Sequence, residues 1–209
     1  MRPKPGRDEP ILIMAMPRSG SSMTAGLFAA HGVWAGTYAK PNAMNAKGHF
    51  ENLPVKKYII QKTGGARPVQ EGQPCKPWPG FRDDVLRLIH EDGYPGEGPW
   101  MFKGTAMYWP LWREFRPRWI CVRRNLDSIR SSGKATGAFL ARPEAIQAHV
   151  QAMDYLWEHR RAVDVDTDAL IRGDYSTLRI ALASCGIEMD EDVVRDFVDP
   201  KLWRHGRGG

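Results

Sequence analysis

The sequence feature that most constrains the fold is an unbroken apolar run followed by a loop of small and hydroxyl residues. Residues 11–16 read Ile-Leu-Ile-Met-Ala-Met, and residues 17–22 read Pro-Arg-Ser-Gly-Ser-Ser. A short, continuous apolar run is typical of a strand buried on both faces of a sheet. Residues 23–31 favour a helix, which Gly32 is suited to end. The order strand, loop, helix predicts a loop that presents backbone N–H groups and the positive end of a helix dipole to an anion.

The residues of this loop favour a phosphate group but not ATP or GTP. Gly20 allows the backbone to approach an anion closely, the hydroxyls of Ser21 and Ser22 are donors, and Arg18 adds a charge. An ordinary strand-to-helix turn also uses Ser and Gly, so the loop by itself leaves that alternative open. An ATP-binding loop reads G-x-x-x-x-G-K-[ST], whereas here Ala15 replaces the first glycine and Ser21 the lysine. The missing lysine disfavours a kinase or NTPase.

Strand and helix patterns alternate along the rest of the chain. Further strands are predicted at residues 100–102, 119–122 and 162–166. Helices are predicted at residues 54–62, 81–91, 109–115, 126–132, 143–161 and 175–184. This alternation predicts an α/β fold with a central, mainly parallel sheet flanked by helices. Ligands of such sheets gather beyond the carboxyl ends of the strands.

The length of 209 residues predicts one domain over residues 1–209. Within it, residues 1–10 are expected to be a flexible N-terminus, and the Gly- and Pro-rich residues 63–80 a surface loop or lid. Because residues 1–10 are polar, no signal peptide is predicted there. The longest early apolar run is too short to span a bilayer, so no membrane span is predicted. Cys75, Cys121 and Cys185 are scattered without metal-type spacing, which favours a reducing, cytoplasmic location.

The chain is basic, with a formal net charge of +6 and a pI of about 9.3. A basic balance favours anionic partners such as nucleotides, nucleic acid, acidic sugars or a membrane surface. The basic residues lack the dense clustering that a nucleic-acid footprint usually has, so no nucleic-acid partner is predicted. Two alternatives to the interpretation below stay open: a nucleotide or small-molecule kinase with a degenerate phosphate loop, and a non-enzymatic polyanion-binding protein.

Residues 17–22 match P-[KR]-S-G-[ST]-[ST], and on this loop the chain resembles the small bacterial and phage-type sulfotransferases. These enzymes use 3′-phosphoadenosine 5′-phosphosulfate (PAPS) as the sulfuryl donor. The resemblance implies a P-loop-type, three-layer fold and the product 3′,5′-ADP. It also implies that the 5′-phosphosulfate is bound by Arg18, Ser19, Gly20, Ser21 and Ser22.

A second pattern resembles the family's site for the 3′-phosphate. In the family, a strand ends in Arg, Asp follows four residues later, and Ser follows after four more. Arg123, Asp127 and Ser131 have this spacing. The alternative pair, Arg124 with Ser132, keeps the Arg-to-Ser distance but loses the Asp. Arg123 and Ser131 are the preferred pair, and the register stays open by one residue.

The resemblance extends to residues that would carry the chemistry. Residues 45–52 resemble the family segment N-x-K-G-[YF]-F-E, which implies that Glu51 is the first candidate for the base. His49 is the second candidate, because the unperturbed pKa of a histidine, about 6.5, suits a general base. Glu51 could instead cap the helix that follows it. Lys103, predicted at the end of a strand, resembles a family lysine near the transferred group. Arg18, Lys103 and the loop amides are therefore candidates for stabilising charge during transfer, and no metal is expected.

The implied reaction is in-line transfer of a sulfuryl group from PAPS to a hydroxyl, or less readily an amine, of a carbohydrate or other small molecule. The acceptor pocket is expected between residues 36–52 and 63–80, and Trp78 is a candidate for stacking on the acceptor or the adenine. A basic C-terminus could close over the 3′-phosphate; its residues are Lys201, Arg204 and Arg207. The sequence predicts neither the acceptor nor the oligomeric state.

Overall fold

Four parallel strands form one sheet in the computed structural model, which describes residues 6–41, 47–65, 71–135 and 142–199. The strands are β1 (Ile11–Ala15), β2 (Met101–Thr105), β3 (Arg118–Arg123) and β4 (Val163–Asp166). They lie in the order β2-β1-β3-β4, and all of β1 is buried at the centre. The predicted α/β fold with a central parallel sheet is confirmed.

Helices cover both faces of this sheet. They are α1 (Ser21–Ala30), α2 (Leu53–Lys62), α3 (Phe81–Glu91), α4 (Leu126–Ala135), α5 (Pro143–Arg160), α6 (Thr167–Ile171), α7 (Ser176–Ser184) and α8 (Glu191–Phe197), with a 3-10 helix at Ala106–Glu114. Successive side chains of β1 point to opposite faces. Leu12 and Met14 pack with α2, α3 and α5, whereas Ile11 and Ile13 pack with α1 and α7.

The strand register brings three chain segments to one edge of the sheet. Ala15, the last residue of β1, is paired with Thr105 on one side and with Val122 on the other. The loop after β1 therefore leaves the sheet beside the carboxyl ends of β2 and β3. This is the edge at which parallel sheets bind their ligands.

Strand β2 extends further than predicted, which corrects the placement of Lys103. The sequence pattern ended the strand after residues 100–102, whereas Lys103 is the third of five residues in Met101–Thr105. Gly104 has a weak preference for strands, but parallel pairing with β1 holds it in the sheet. The backbone of Lys103 therefore lies two residues before the carboxyl end of β2, and its long side chain reaches Ser22 at the edge of the sheet.

Most helices follow the prediction, and the exceptions have local causes. Helices α2, α3, α5 and α7 begin and end within one residue of the predicted bounds. The helix predicted at residues 109–115 is a 3-10 helix that begins at Ala106 and contains Pro110, which has no N–H to donate. Helices α6 and α8 were not predicted. They are short, and each begins after an Asp, Asp166 or Asp190, whose carboxylate accepts backbone N–H groups.

The segments predicted to be flexible or loop-like are described in part. Among residues 6–10, the carbonyl of Arg7 accepts a hydrogen bond of 2.8 Å from Trp100 Nε1. Within residues 63–80, the described residues form no helix or strand. No helix in the described ranges is long and apolar enough to cross a membrane.

Candidate functional site

The loop between β1 and α1 opens the N-terminus of α1 toward the edge of the sheet. Gly20 occupies the N-cap position with φ 86° and ψ 14°, a left-handed conformation that suits glycine. Arg18 is also left-handed, with φ 70°, which is uncommon for a residue with a side chain. Because Gly20 carries no capping side chain and residues 21–24 include no acidic residue, the positive end of α1 can receive an anion.

Ser19 adds a buried polar atom to this loop. Its side chain is fully buried, and Ser19 Oγ has no hydrogen-bond partner among the described residues. The backbone of Ser19 is held in place, because its carbonyl accepts a hydrogen bond of 2.7 Å from Thr167 Oγ1 at the start of α6. An anionic oxygen in the loop would fit such a hydroxyl.

Two arginines and a serine meet beside the loop. Arg18 Nε donates to Ser132 Oγ at 2.9 Å, and Arg124 Nη1 donates to the Arg18 carbonyl at 2.9 Å. The Arg124 side chain is only 6% exposed and pairs with Asp168 at 3.5 Å. Burial lowers the pKa of Arg124, Asp168 opposes that shift, and the nearby charge of Arg18 adds to it. Two guanidinium groups close to one carboxylate form a net positive cluster, which favours a further anion.

In the part of the chain that the structure describes, the side chain of Arg123, from the preferred pair with Ser131, contacts two carboxylates and not the loop. Arg123 Nη1 pairs with Asp154 at 2.8 Å, and Arg123 Nε pairs with Asp164 at 3.1 Å. Ser131 is exposed, whereas Ser132 is buried. Arg123 is the last residue of β3 and Arg124 follows it outside the strand, and the two side chains reach different carboxylates.

The geometry therefore favours the alternative register, Arg124 with Ser132. Asp127, which the preferred register included, is exposed and pairs with Arg130 at 2.9 Å. The Arg124–Ser132 register lacks Asp127, and the cluster beside the loop does not need it.

Lys103 connects the loop to the segment that carries the base candidates. Lys103 Nζ donates to Ser22 Oγ at 3.1 Å and to the His49 carbonyl at 3.0 Å. It also pairs with Glu51 Oε1 at 3.0 Å, and Glu51 pairs in addition with Lys56 at the start of α2. The Lys103 side chain is 6% exposed, so its ammonium is almost entirely enclosed by these partners.

The ionisation of this group follows from burial and charge. Burial would raise the pKa of Glu51, but Lys103 and Lys56 outweigh burial and lower it, so Glu51 is ionised. Burial lowers the pKa of Lys103, and Glu51 opposes this shift. Burial and the charge of Lys103 lower the pKa of His49, so its ring is neutral near neutral pH. Glu51 and His49 both have a form that can accept a proton.

Trp78 packs against Tyr58 and Phe81 in this structure. Its Nε1 donates to Tyr58 Oη at 2.9 Å, and its ring meets Phe81 edge-on with centroids 5.3 Å apart. Trp78 therefore joins α2 to α3. The basic residues predicted to close over the 3′-phosphate lie outside the described residues; they are Lys201, Arg204 and Arg207.

Two residues beside the loop were missed in the sequence. Thr167 holds the Ser19 carbonyl, and Asp168 pairs with Arg124 and accepts a 2.8 Å hydrogen bond from Asn125 N. The sequence signal is the run Asp-Thr-Asp directly after a strand, which marks a helix start at the same sheet edge. No group of three His, Cys, Asp or Glu side chains in the described ranges is arranged to hold a metal ion.

Comparison with known proteins finds likeness in structure alone. No protein-family model matches this sequence, and no curated protein matches it. Among solved structures, the chain is similar to the sulfotransferase domain of the olefin synthase from Synechococcus PCC 7002. The TM-score is 0.54 at 13% sequence identity, over 98% of this chain and 86% of that chain.

A second similar structure is the sulfotransferase STF1 from Mycobacterium tuberculosis H37Rv. Its TM-score is 0.52 at 12% identity, over 95% of this chain and 71% of that chain. At these identities the likeness concerns the fold. The chain has the α/β fold of sulfotransferase domains, with its loop, Lys103 and Arg124 gathered at the edge where such a sheet binds its ligands.

Proposed function

We propose that the protein is a sulfotransferase that uses PAPS and passes the sulfuryl group to a hydroxyl, or an amine, of a carbohydrate or other small molecule. The observation that carries the proposal is the cluster of Arg18, Arg124 and Ser132 beside the open N-terminus of α1. It offers two neighbouring places for anionic groups, which a donor with phosphate groups on both its 5′ and 3′ oxygens would fill. The fold likeness to sulfotransferase domains is in agreement.

The residues present fit this donor. The 5′-phosphosulfate would lie on the loop, at the amides of α1 and the hydroxyls of Ser21 and Ser22. The unpartnered, buried Ser19 Oγ supports an oxygen-rich ligand there. Arg124 and Ser132 would hold the 3′-phosphate, because a guanidinium binds phosphate through paired N–H groups.

Lys103 supplies the ammonium that the loop lacks. An ATP-binding loop carries its lysine where this chain has Ser21. Here a lysine reaches the loop from the adjacent strand instead, since Lys103 Nζ contacts Ser22 Oγ at 3.1 Å. The charge is therefore fixed at the loop before any ligand arrives, as electrostatic stabilisation of a leaving group requires.

The chemistry assigned to this chain is charge stabilisation and proton removal. PAPS, when bound, supplies an activated sulfuryl group with a phosphate as the leaving group. Lys103, Arg18 and the N-terminus of α1 provide fixed positive charge for the oxygens that become more negative. Glu51, the first candidate, or His49, the second, accepts the proton of the acceptor hydroxyl. Enclosure of Lys103 by Ser22, the His49 carbonyl and Glu51 keeps these groups in one arrangement.

Calorimetric titration of the purified protein tests the donor. We expect 3′,5′-ADP to bind without metal and at least about 10-fold more tightly than ATP with Mg²⁺, because only the former presents a 3′-phosphate to Arg124. Transfer of ³⁵S from labelled PAPS to a panel of sugars, phenols and amines then identifies the acceptor class. Tighter binding of Mg²⁺–ATP would favour the kinase alternative, and indifference to 3′,5′-ADP would refute the proposal.

A further inference from the structure

Residues 47–51, here called the strap, hold the base candidates against Lys103. The His49 carbonyl and the Glu51 carboxylate both contact Lys103 Nζ, each at 3.0 Å. Between them, Phe50 has φ 51°, a left-handed backbone conformation that is strained for an aromatic residue. Surrounding structure must maintain such a conformation, so the contacts of the Phe50 ring decide where the strap lies.

The Phe50 ring is buried between the rings of Tyr38 and Phe197. The centroid of Phe50 lies 4.6 Å from that of Tyr38 and 6.2 Å from that of Phe197. Both Phe50 and Phe197 pack against Gly26 in α1. A Cβ at Gly26 would overlap the Phe197 ring and lie 2.8 Å from Phe50 Cε2. Because Gly26 has no side chain, the rings of Phe50 and Phe197 can both pack against α1, the helix that begins at the loop.

Lys47, at the other end of the strap, ties it to the end of α8. Lys47 Nζ donates to the Phe197 carbonyl and, at 3.4 Å, to the Asp196 carbonyl. The same ammonium lies 4.6 Å from the centroid of the Phe197 ring. A cation at the carboxyl end of a helix is favourable because the last carbonyls carry partial negative charge. Phe197 thus contacts both the first and the fourth residue of the strap.

We infer that Lys47 and Phe197 are positioning residues that hold the strap against Lys103. Lys47 and Phe197 are here called the latch. Helix α8 lies against α1, so the latch fixes the distance between the loop at the start of α1 and the base candidates on the strap. The inference rests on the proposed function for its catalytic meaning, because transfer requires donor and base at a fixed separation. Phe197 touches none of the reacting groups and acts through Phe50.

Hydrogen exchange of Phe197→Ala, read peptide by peptide, tests the latch without any substrate. His49 N, in the strap, donates to the Ala39 carbonyl, and Leu53 N, two residues after the strap, donates to the Thr37 carbonyl, so these amides report the strap and its junction with α2. We expect these amides to exchange at least about 10-fold faster in the variant, with the amides of β1 and β3 unchanged. Phe197→Leu, which keeps an apolar side chain, should restore most of the protection, and Lys47→Met should show the same local effect more weakly.

The matched control is Val194→Ala, one turn earlier in α8 and buried in the same apolar cluster. It should lower stability without faster exchange in the strap.

In transfer of ³⁵S from PAPS, Phe197→Ala should lower kcat about 10- to 100-fold, with the Kd of 3′,5′-ADP within about 2-fold of the parent value. Equal exchange in the two variants, or a loss of exchange protection spread over the whole sheet, would overturn the latch. A parent protein that ignores 3′,5′-ADP would refute the proposed function, while the exchange result would still decide the latch.

Discussion

Arg123 and Arg124 are adjacent, chemically identical residues in opposite electrostatic surroundings. Arg123 lies between the carboxylates of Asp154 and Asp164. Arg124 pairs with one carboxylate, that of Asp168, and donates to the Arg18 carbonyl beside a second guanidinium. A guanidinium that already pairs with two carboxylates gains little from a phosphate, whereas one beside another cation gains more. The difference of one residue therefore decides which arginine can serve an anionic ligand.

The choice of base can be tested with one substitution at each candidate. We expect Glu51→Gln to lower kcat for sulfuryl transfer about 100-fold, since the amide cannot accept the acceptor proton. His49→Asn should change kcat by less than about 5-fold, because the contact between the strap and Lys103 uses the His49 backbone carbonyl. Steady-state rates with ³⁵S-labelled PAPS measure both. The reverse order of effects would make His49 the base.

The lowered pKa of Glu51 predicts how stability changes in acid. Because Lys103 and Lys56 hold that pKa below its ordinary value of 4.5, the unfolded chain binds more protons than the folded one around that pH. The contribution of Glu51 to stability is therefore present above pH 4.5 and is lost as the pH falls through the lowered value. Urea unfolding from pH 6 downward should show a shallower decline in Glu51→Gln than in the parent protein, and parallel declines would contradict this account.

At the scale of elements, the loop and α1 depend on the left-handed backbone of Gly20. Gly20→Ala places a Cβ at φ 86°, which we expect to cost about 1–2 kcal/mol of folding free energy and to weaken 3′,5′-ADP binding about 10-fold or more. Gly93→Ala is the matched control, since Gly93 has φ 90° and open space around its Cα. Thermal unfolding should show similar losses for both variants, and calorimetry should show weaker binding for Gly20→Ala alone. Equal affinities would argue against a ligand at this loop.

The elements of the fold could be predicted where the sequence carries a strong local pattern. The run at residues 11–16 predicted β1, because burial on both faces leaves an unbroken apolar signal. The helix predicted over residues 23–31 is α1, which begins two residues earlier, at Ser21. Helix α3 was predicted at its observed bounds, with its apolar residues on one face. Helices α6 and α8 are too short to show such a period, and only the capping residues Asp166 and Asp190 mark their starts.

The site was predicted less fully, because a strand boundary that is wrong by a residue or two changes which side chains face the ligand. Ending β2 early placed Lys103 at the sheet edge, whereas pairing with β1 carries the strand on to Thr105. The choice between Arg123 and Arg124 depends in the same way on where β3 ends, since side chains alternate along a strand. The two candidate pairs share the same Arg-to-Ser spacing, and the pattern favoured Arg123 only because it includes Asp127, whose side chain is exposed and pairs with Arg130.

At the scale of the molecule, the candidate site joins segments that are far apart in sequence. The loop after β1, the strap, β2, the β3–α4 connection and α6 all meet at one edge of the sheet. The parallel topology produces this meeting, because every strand ends at the same edge. Phe50 of the strap and Phe197 of α8 also pack together against Gly26 of α1, a contact that no single sequence motif encodes.

Calorimetric titration of 3′,5′-ADP into Arg124→Ala and Arg123→Ala tests directly whether Arg124 holds the 3′-phosphate of the donor. The two variants each remove one guanidinium and break its ion pairs, so they are matched in chemistry. We expect Arg124→Ala to lose about 2 kcal/mol of binding free energy, about a 30-fold rise in Kd, while the Kd of Arg123→Ala stays within about 3-fold of the parent value. A larger loss in Arg123→Ala, or no loss in either variant, would contradict this expectation.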